Sequence, residues 1–176
     1  TRQTNVSLFK RTNMGTPEQN YLDTFLVAGI TTRTNNANEA NPNSAQIPLL
    51  WMTFNTDEIA NDIINQVANT PIYGVYHRYA SDVNDDYSVT AGVAVIAPAV
   101  TAEDENIETI PVMAGNYLIF RAQGVDLVHT VITAWQEIWT YCSAHPEIKR
   151  AYQTDFEAYL GNTDGNHAIE IYIGVV

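Results

Sequence analysis

Near its C-terminal end the chain sets carboxylates among large aromatic rings, in Asp155-Phe156-Glu157-Ala158-Tyr159-Leu160 and Ile169-Glu170-Ile171-Tyr172-Ile173-Gly174. Read as the two strands of one hairpin, alternate side chains face opposite ways. Phe156, Ala158, Leu160, Ile169, Ile171 and Ile173 then form an apolar face, and Glu157, Tyr159, Glu170 and Tyr172 form the other. Acids set among tyrosines suit a concave site for an organic cation, held by charge and by ring faces. The same pattern also fits a half-exposed amphipathic sheet, so the hairpin alone leaves both readings open.

The elements that must position these groups recur along the chain. A strand-like stretch, Phe25-Leu26-Val27-Ala28-Gly29-Ile30, precedes a helical one centred on Leu49-Leu50-Trp51-Met52-Thr53-Phe54 and a hairpin from Ile72 to Ile96. The order then repeats with a strand, Tyr117-Leu118-Ile119-Phe120, a helix from Val131 to Tyr141 and the terminal hairpin. Superposed, Trp51 matches Trp135, Tyr76 matches Glu157 and Gly92 matches Gly174. The same order twice predicts an α+β domain of pseudo-twofold strand-helix-hairpin units, an antiparallel sheet with helices around a central ligand cleft.

Punctuation refines the layout. Residues 31–46, rich in Thr and Asn, predict a loop leading into a helix at Pro48. Asn55-Thr56-Asp57 is placed to cap a second helical piece carrying Ile59, Ile63, Ile64 and Val67. Asp82 to Asp86 and Gly161 to Asn166 read as hairpin tips, and Gly115-Asn116 as the turn into the Tyr117 strand. The expected division is a polar extension over 1–21 and a ligand-binding domain over 22–176, with halves at about 22–100 and 107–176.

Composition narrows the function classes. The 176 residues are 45% hydrophobic, enough for a real core, and 20 acidic against 8 basic side chains give a net charge of −12. That charge repels phosphate backbones and anionic membranes and favours cationic partners. Direct binding of nucleic acid is not expected. No apolar run is long enough to cross a bilayer, and the single Cys142 excludes an internal disulfide, so a soluble cytoplasmic protein is expected.

Other chemistry finds little support. His77, His129, His145 and His167 lie too far apart for a recognisable metal motif, and there is no glycine-rich phosphate loop, so neither metal nor cofactor is expected. Cys142 and His145 lack an orienting acid and read as a buried thiol beside a helix end. Lys149-Arg150 reads as favourable charge after a helix C-terminus. Trp135 and Trp139, at i and i+4, read by default as core, and Trp51 as either core or pocket lining.

Leu50-Trp51 with Phe54, Tyr73-Gly74-Val75-Tyr76, Gly115-Asn116-Tyr117 with Phe120, Trp135 and the two strands of the terminal hairpin, in this order and spacing, resemble the gyrase-inhibitor-like, AraC-type effector-binding domain. The resemblance covers roughly Leu22 to Val176, and in its free-standing form it is similar to cationic-drug-binding proteins of integron gene cassettes. It implies that Glu157 lies at the base of a pocket and meets a ligand's positive charge. Tyr159 and Tyr172 would point into that pocket, with Trp51 and Tyr76 on its other wall and Phe54 and Tyr117 completing the candidate set. The implied ligand is a lipophilic cation, either sensed for a transcription regulator or sequestered. Regulators of this family carry a DNA-binding module ahead of the domain. Here about twenty residues precede it, with only Arg2, Lys10 and Arg11 as cations, so transcriptional control would need a separate DNA-binding chain. The alternative is a hydrolase of small reactive compounds in the same cleft, pairing Glu157 with Tyr76 or Tyr172.

Overall fold

The two halves of the chain each pair most of their own strands, join through one central strand pair and exchange a short edge strand. A computed structural model describes residues 14–101 and 106–176; the expectations for residues 1–13, with those resting on Arg2, Lys10 and Arg11, lie outside the described residues. In chain order the elements are β1 (Glu18–Leu22), β2 (Phe25–Thr34), α1 (Asn36–Glu39), α2 (Ile47–Thr56), α3 (Ile59–Asp62), β3 (Ile72–His77), β4 (Tyr87–Val95), β5 (Glu108–Val112), β6 (Gly115–Gly124), α4 (Leu127–Ala144), β7 (Thr154–Thr163) and β8 (Asn166–Val175). The strands form one antiparallel sheet in the order β1-β6-β8-β7-β3-β4-β2-β5. Read from either edge the order is the same once β1 is exchanged for β5, β6 for β2, β8 for β4 and β7 for β3. This is the expected pseudo-twofold α+β architecture. The central β3–β7 register sets Val75 opposite Phe156, so Tyr76 and Glu157 occupy equivalent positions about the pseudo-axis. Each half lends its first short strand to the other: β1 pairs with β6, and β5 pairs with β2.

The register also sorts the side chains into two faces. On one lie Phe120, Ile171, Glu157, Gly74, Ala91 and Ile30, each directly across from the next. Helices α2 and α4 cover this face. Ala134 and Ile138 of α4 pack on Leu118, Phe120, Ile171 and Ile173, while Leu50 and Phe54 of α2 pack on Ile30, Val89 and Ala91. The opposite face carries Val27, Val75, Ile110, Val112, Tyr117 and Phe156, with Phe25, Tyr73 and Tyr172 against them. Phe25 and Phe156 meet there at 5.5 Å between ring centroids although two strands separate theirs. A flat sheet would hold those strands ~14 Å apart. The sheet is therefore curled into a half-barrel towards the aromatic face. Paired Gly29 and Gly92 permit the tight β2–β4 approach, since a Cβ on either would fall 1.8 or 2.2 Å from the other strand's backbone oxygen.

Local expectations hold in part. The predicted strands and hairpins and the helix entered at Pro48 are present. The sheet begins earlier than the expected boundary, because Glu18–Leu22 is a strand paired to β6. The 31–46 loop is shorter than expected: β2 continues to Thr34, and Asn35 caps the small helix α1 by accepting from the Asn38 amide. The second helical piece stops after four residues, capped by no side chain, and Ile63 turns away into a bridge with Thr101. Trp139 is 45% exposed rather than core. Among the described residues, no helix is long and apolar enough to cross a membrane and no group of His, Cys, Asp or Glu could hold a metal ion.

Candidate functional site

Glu157 sits at the middle of the sheet, on the helix-covered face, 1% exposed. Its place is made by Gly74, directly opposite on β3: a Cβ at residue 74 would come within 2.7 Å of Glu157 Oε2 and 3.0 Å of the Trp51 ring. A side chain there would push the carboxylate out. Two helices straddle the central strands and bring a tryptophan from each side. Helix α2 is fixed at its start by Glu39, whose carboxylate accepts from the Gln46 and Ile47 amides, and by Pro48. With Leu50 and Phe54 buried, Trp51 is left leaning over the sheet's centre. Helix α4 is capped by Asp126, which accepts from the His129 amide, and its buried Ala134 and Ile138 set Trp135 beside β7.

Three neutral donors converge on the carboxylate. Tyr76 Oη (3.0 Å) and Trp135 Nε1 (2.7 Å) both donate to Oε1, and Tyr159 Oη donates to Oε2 at 2.6 Å. Rings close the site around them: Trp51 meets Tyr159 edge-on at 5.0 Å, and Tyr76 meets Trp135 at 5.1 Å. Among the described residues, none of the hydrogen-bond or ion-pair partners of Glu157 is a cation. Burial pushes its pKa above the ordinary carboxylate value, while the bonds from Tyr159, Trp135 and Tyr76 pull it part of the way back. Burial and the neighbouring acid hold the Tyr76 and Tyr159 phenols well above theirs, so both stay protonated donors. Two surface depressions, one beside Leu49 and Thr53 and one on the outer side of α4 at Gln136 and Trp139, lie away from Glu157.

The structure divides the sequence candidates. Glu157, Tyr159, Tyr76 and Trp51 come together. Phe54 is 2% exposed and backs the Trp51 ring edge-on at 5.7 Å instead of facing the carboxylate. Tyr172 and Tyr117 lie on the opposite face of the sheet. Tyr172 stacks on Phe156 at 4.3 Å and donates to Glu170, and Tyr117 donates to the Met113 carbonyl beside Thr154. The two-face reading of the hairpin is corrected accordingly. Phe156 is opposite Tyr172 and Glu157 is opposite Ile171, so the two strands are out of phase with the expected pattern and Glu157 shares its face with the isoleucines.

Sequence reasoning missed Trp135 as a partner of Glu157. Its match to Trp51 in the internal repeat was the available signal. It also missed a second buried acid. Asp155 is wholly buried, paired with Arg150, and accepts from Tyr79 Oη at 2.5 Å and from the Gly174 amide at 2.8 Å. Arg150 is thus a buried ion-pair partner that also stacks on Tyr152, not a solvated charge after a helix end. His77 is likewise buried, bonded to Thr90 Oγ1, and desolvation lowers its pKa to about 4. Cys142 is half-buried, its thiol pushed up by burial.

The curled, pseudo-twofold sheet with helices over one face is the architecture of a small-molecule-binding domain. The chain belongs to the GyrI-like small molecule binding domain family, whose model matches residues 15–176. It is similar in structure to the integron cassette protein VCH_CASS2 of Vibrio cholerae, with a TM-score of 0.75 and 30% identity over 93% of this chain and 97% of that one. It shares its fold with SAV2435, solved bound to tetraphenylphosphonium, at a TM-score of 0.67 and 18% identity over 91% of this chain and 93% of that one. YobU of Bacillus subtilis, whose name proposes a transcriptional regulator, is 25% identical over 92% of this chain and 99% of its own length.

Proposed function

We propose that the protein binds lipophilic organic cations at Glu157, between Trp51, Tyr76, Trp135 and Tyr159. The observation that carries this reading is a buried carboxylate ringed by aromatic side chains and, among the described residues, bonded by neutral donors. Such an acid is costly to hold as an anion, and an entering cation removes that cost while its charge meets ring faces. SAV2435, which shares the fold, is bound to such a cation. Each cation-ring contact contributes roughly 0.5–2 kcal/mol, and several with apolar burial give micromolar affinity on the order of −8 kcal/mol. Binding without turnover is the favoured mode, because among the described residues no serine, threonine, cysteine or lysine side chain bonds to Glu157 to serve as a dedicated nucleophile. In this reading the chain works in the cytoplasm, as a drug-sequestering protein or as the sensing part of a regulator whose DNA-binding chain is separate.

The test is a tryptophan-fluorescence titration with tetraphenylphosphonium beside the neutral triphenylphosphine oxide, on the wild type and on Glu157→Gln. The cation should bind saturably and quench Trp51 and Trp135 emission, with binding lost or weakened at least tenfold in the variant. Equal binding of the neutral compound, or a cation affinity indifferent to Glu157→Gln, would refute the reading.

A further inference from the structure

We infer that the site selects among cations by the number of N–H donors they carry, favouring quaternary and tertiary centres and rejecting primary ammonium and guanidinium groups. The inference rests on the proposed cation site and specifies its ligand class. A carboxylate has about four lone-pair positions. Three are already taken: both on Oε1, by Tyr76 and Trp135, and one on Oε2, by Tyr159. Oε2 borders Gly74, where a Cβ would come within 2.7 Å of it and 3.0 Å of the Trp51 ring, so the missing side chain leaves space between the carboxylate and Trp51.

Trp51 is also the one ring of the four with no hydrogen bond to Glu157; it is held there by ring contacts to Phe54 and Tyr159. The three tied rings keep their places, and Trp51 is the wall that yields to a ligand. A cation arriving from that side finds a negative charge, ring faces and one free acceptor position. A centre with no N–H uses the charge and rings alone. A tertiary ammonium places its single N–H on the open Oε2 position. A primary ammonium brings three donors, of which two are left facing rings or must displace Tyr76, Trp135 or Tyr159 from the carboxylate, and buried donors without acceptors are costly.

The experiment uses three probes with one skeleton: (9-anthracenylmethyl)trimethylammonium, its dimethylammonium analogue and the primary ammonium, titrated by fluorescence at a pH where all are cationic. The quaternary and tertiary probes should bind within a few-fold of each other and the primary one at least tenfold more weakly. Tyr159→Phe and, independently, Tyr76→Phe each free one acceptor position and should narrow that gap to about threefold or less. A primary probe that binds the wild type as tightly as the tertiary one, with all three lost in Glu157→Gln, would overturn the selectivity while leaving the cation site standing. A gap unchanged in both tyrosine variants would overturn it as well. If Glu157→Gln leaves all three affinities unchanged, the cation site itself falls, and the selectivity with it.

Discussion

Strand β7 carries two buried carboxylates two residues apart on the same face, and the protein treats them in opposite ways. Asp155 is met by a full positive charge from Arg150, by Tyr79 and by a backbone amide of β8. Glu157 is met by two phenols and an indole. A buried acid with its own cation is a finished structural joint; here it ties the 150–152 corner and the end of β8 to the sheet, alongside the Arg150–Val175 bridge and the bond from the Ala151 amide to the Gly174 carbonyl. A buried acid with neutral donors is held in position but not neutralised. The difference separates an acid paired with a cation of its own from one that, among the described residues, is held by neutral donors.

The contrast breaks most visibly at Arg150. Arg150→Met strands Asp155 without a cation and should cost about 3–5 kcal/mol, read as a large fall in the denaturant midpoint. Glu157→Gln should behave oppositely. The amide oxygen can accept from Tyr76 and Trp135 and the amide N–H can donate to Tyr159, so stability should change by less than ~1 kcal/mol while cation affinity drops ten- to a hundredfold. If both variants unfold alike, the two acids do not differ as argued.

Proton linkage sharpens the comparison. The folded Glu157 has a pKa above its ordinary value of 4.5, so the stability this group contributes is full below the ordinary value and is lost as pH rises through the raised one. A cation needs the anion. Its affinity should therefore climb about tenfold per pH unit below the raised pKa and level off above it, with proton release measurable by calorimetry in buffers of different ionisation heat. An affinity flat across that range would mean that Glu157 is already ionised in the empty site. A smaller effect is expected at Gly74→Ala, whose methyl must displace the Glu157 carboxylate or the Trp51 ring and should cost about 1–3 kcal/mol, together with a shift of tryptophan emission. Smallest of all, Arg121→Ala breaks the exposed pairs with Glu18 and Glu170 and should leave the melting temperature unchanged within error.

Period and punctuation made most of the fold readable before any coordinates. The strand-like run Phe25–Ile30, the alternation in the terminal hairpin, the breakers at Asp82–Asp86 and Gly161–Asn166, and the repeated order of elements all correspond to structure. Phase between strands was not readable. Alternation tells which residues of one strand share a face, but the relation of β7 to β8 is set by the Asp164-Gly165 turn and the irregularity between Tyr159 and Gly161. Tyr172 was therefore placed with Glu157 when it stacks on Phe156. Partners across a corner were equally hidden. Arg150 and Asp155 meet because the chain passes through Tyr152 at a positive φ of 49°, and no helical or strand spacing announces that contact. Trp135 was assigned to the correct helix, but a helix face shows where a ring points, not which acid waits there.

Tyr76 and Glu157 stand at equivalent positions about the pseudo-axis, and their side chains meet across it. Two identical chains assembled in this way could supply only two phenols or two carboxylates at that point: one pairing carries no charge for a cation, and the other sets like charges against each other. Covalent joining of the halves lifts that restriction, because the two halves need not carry the same residue at that point. The centre of the molecule is accordingly unlike in its two halves, with an acid from one steadied by a phenol from the other.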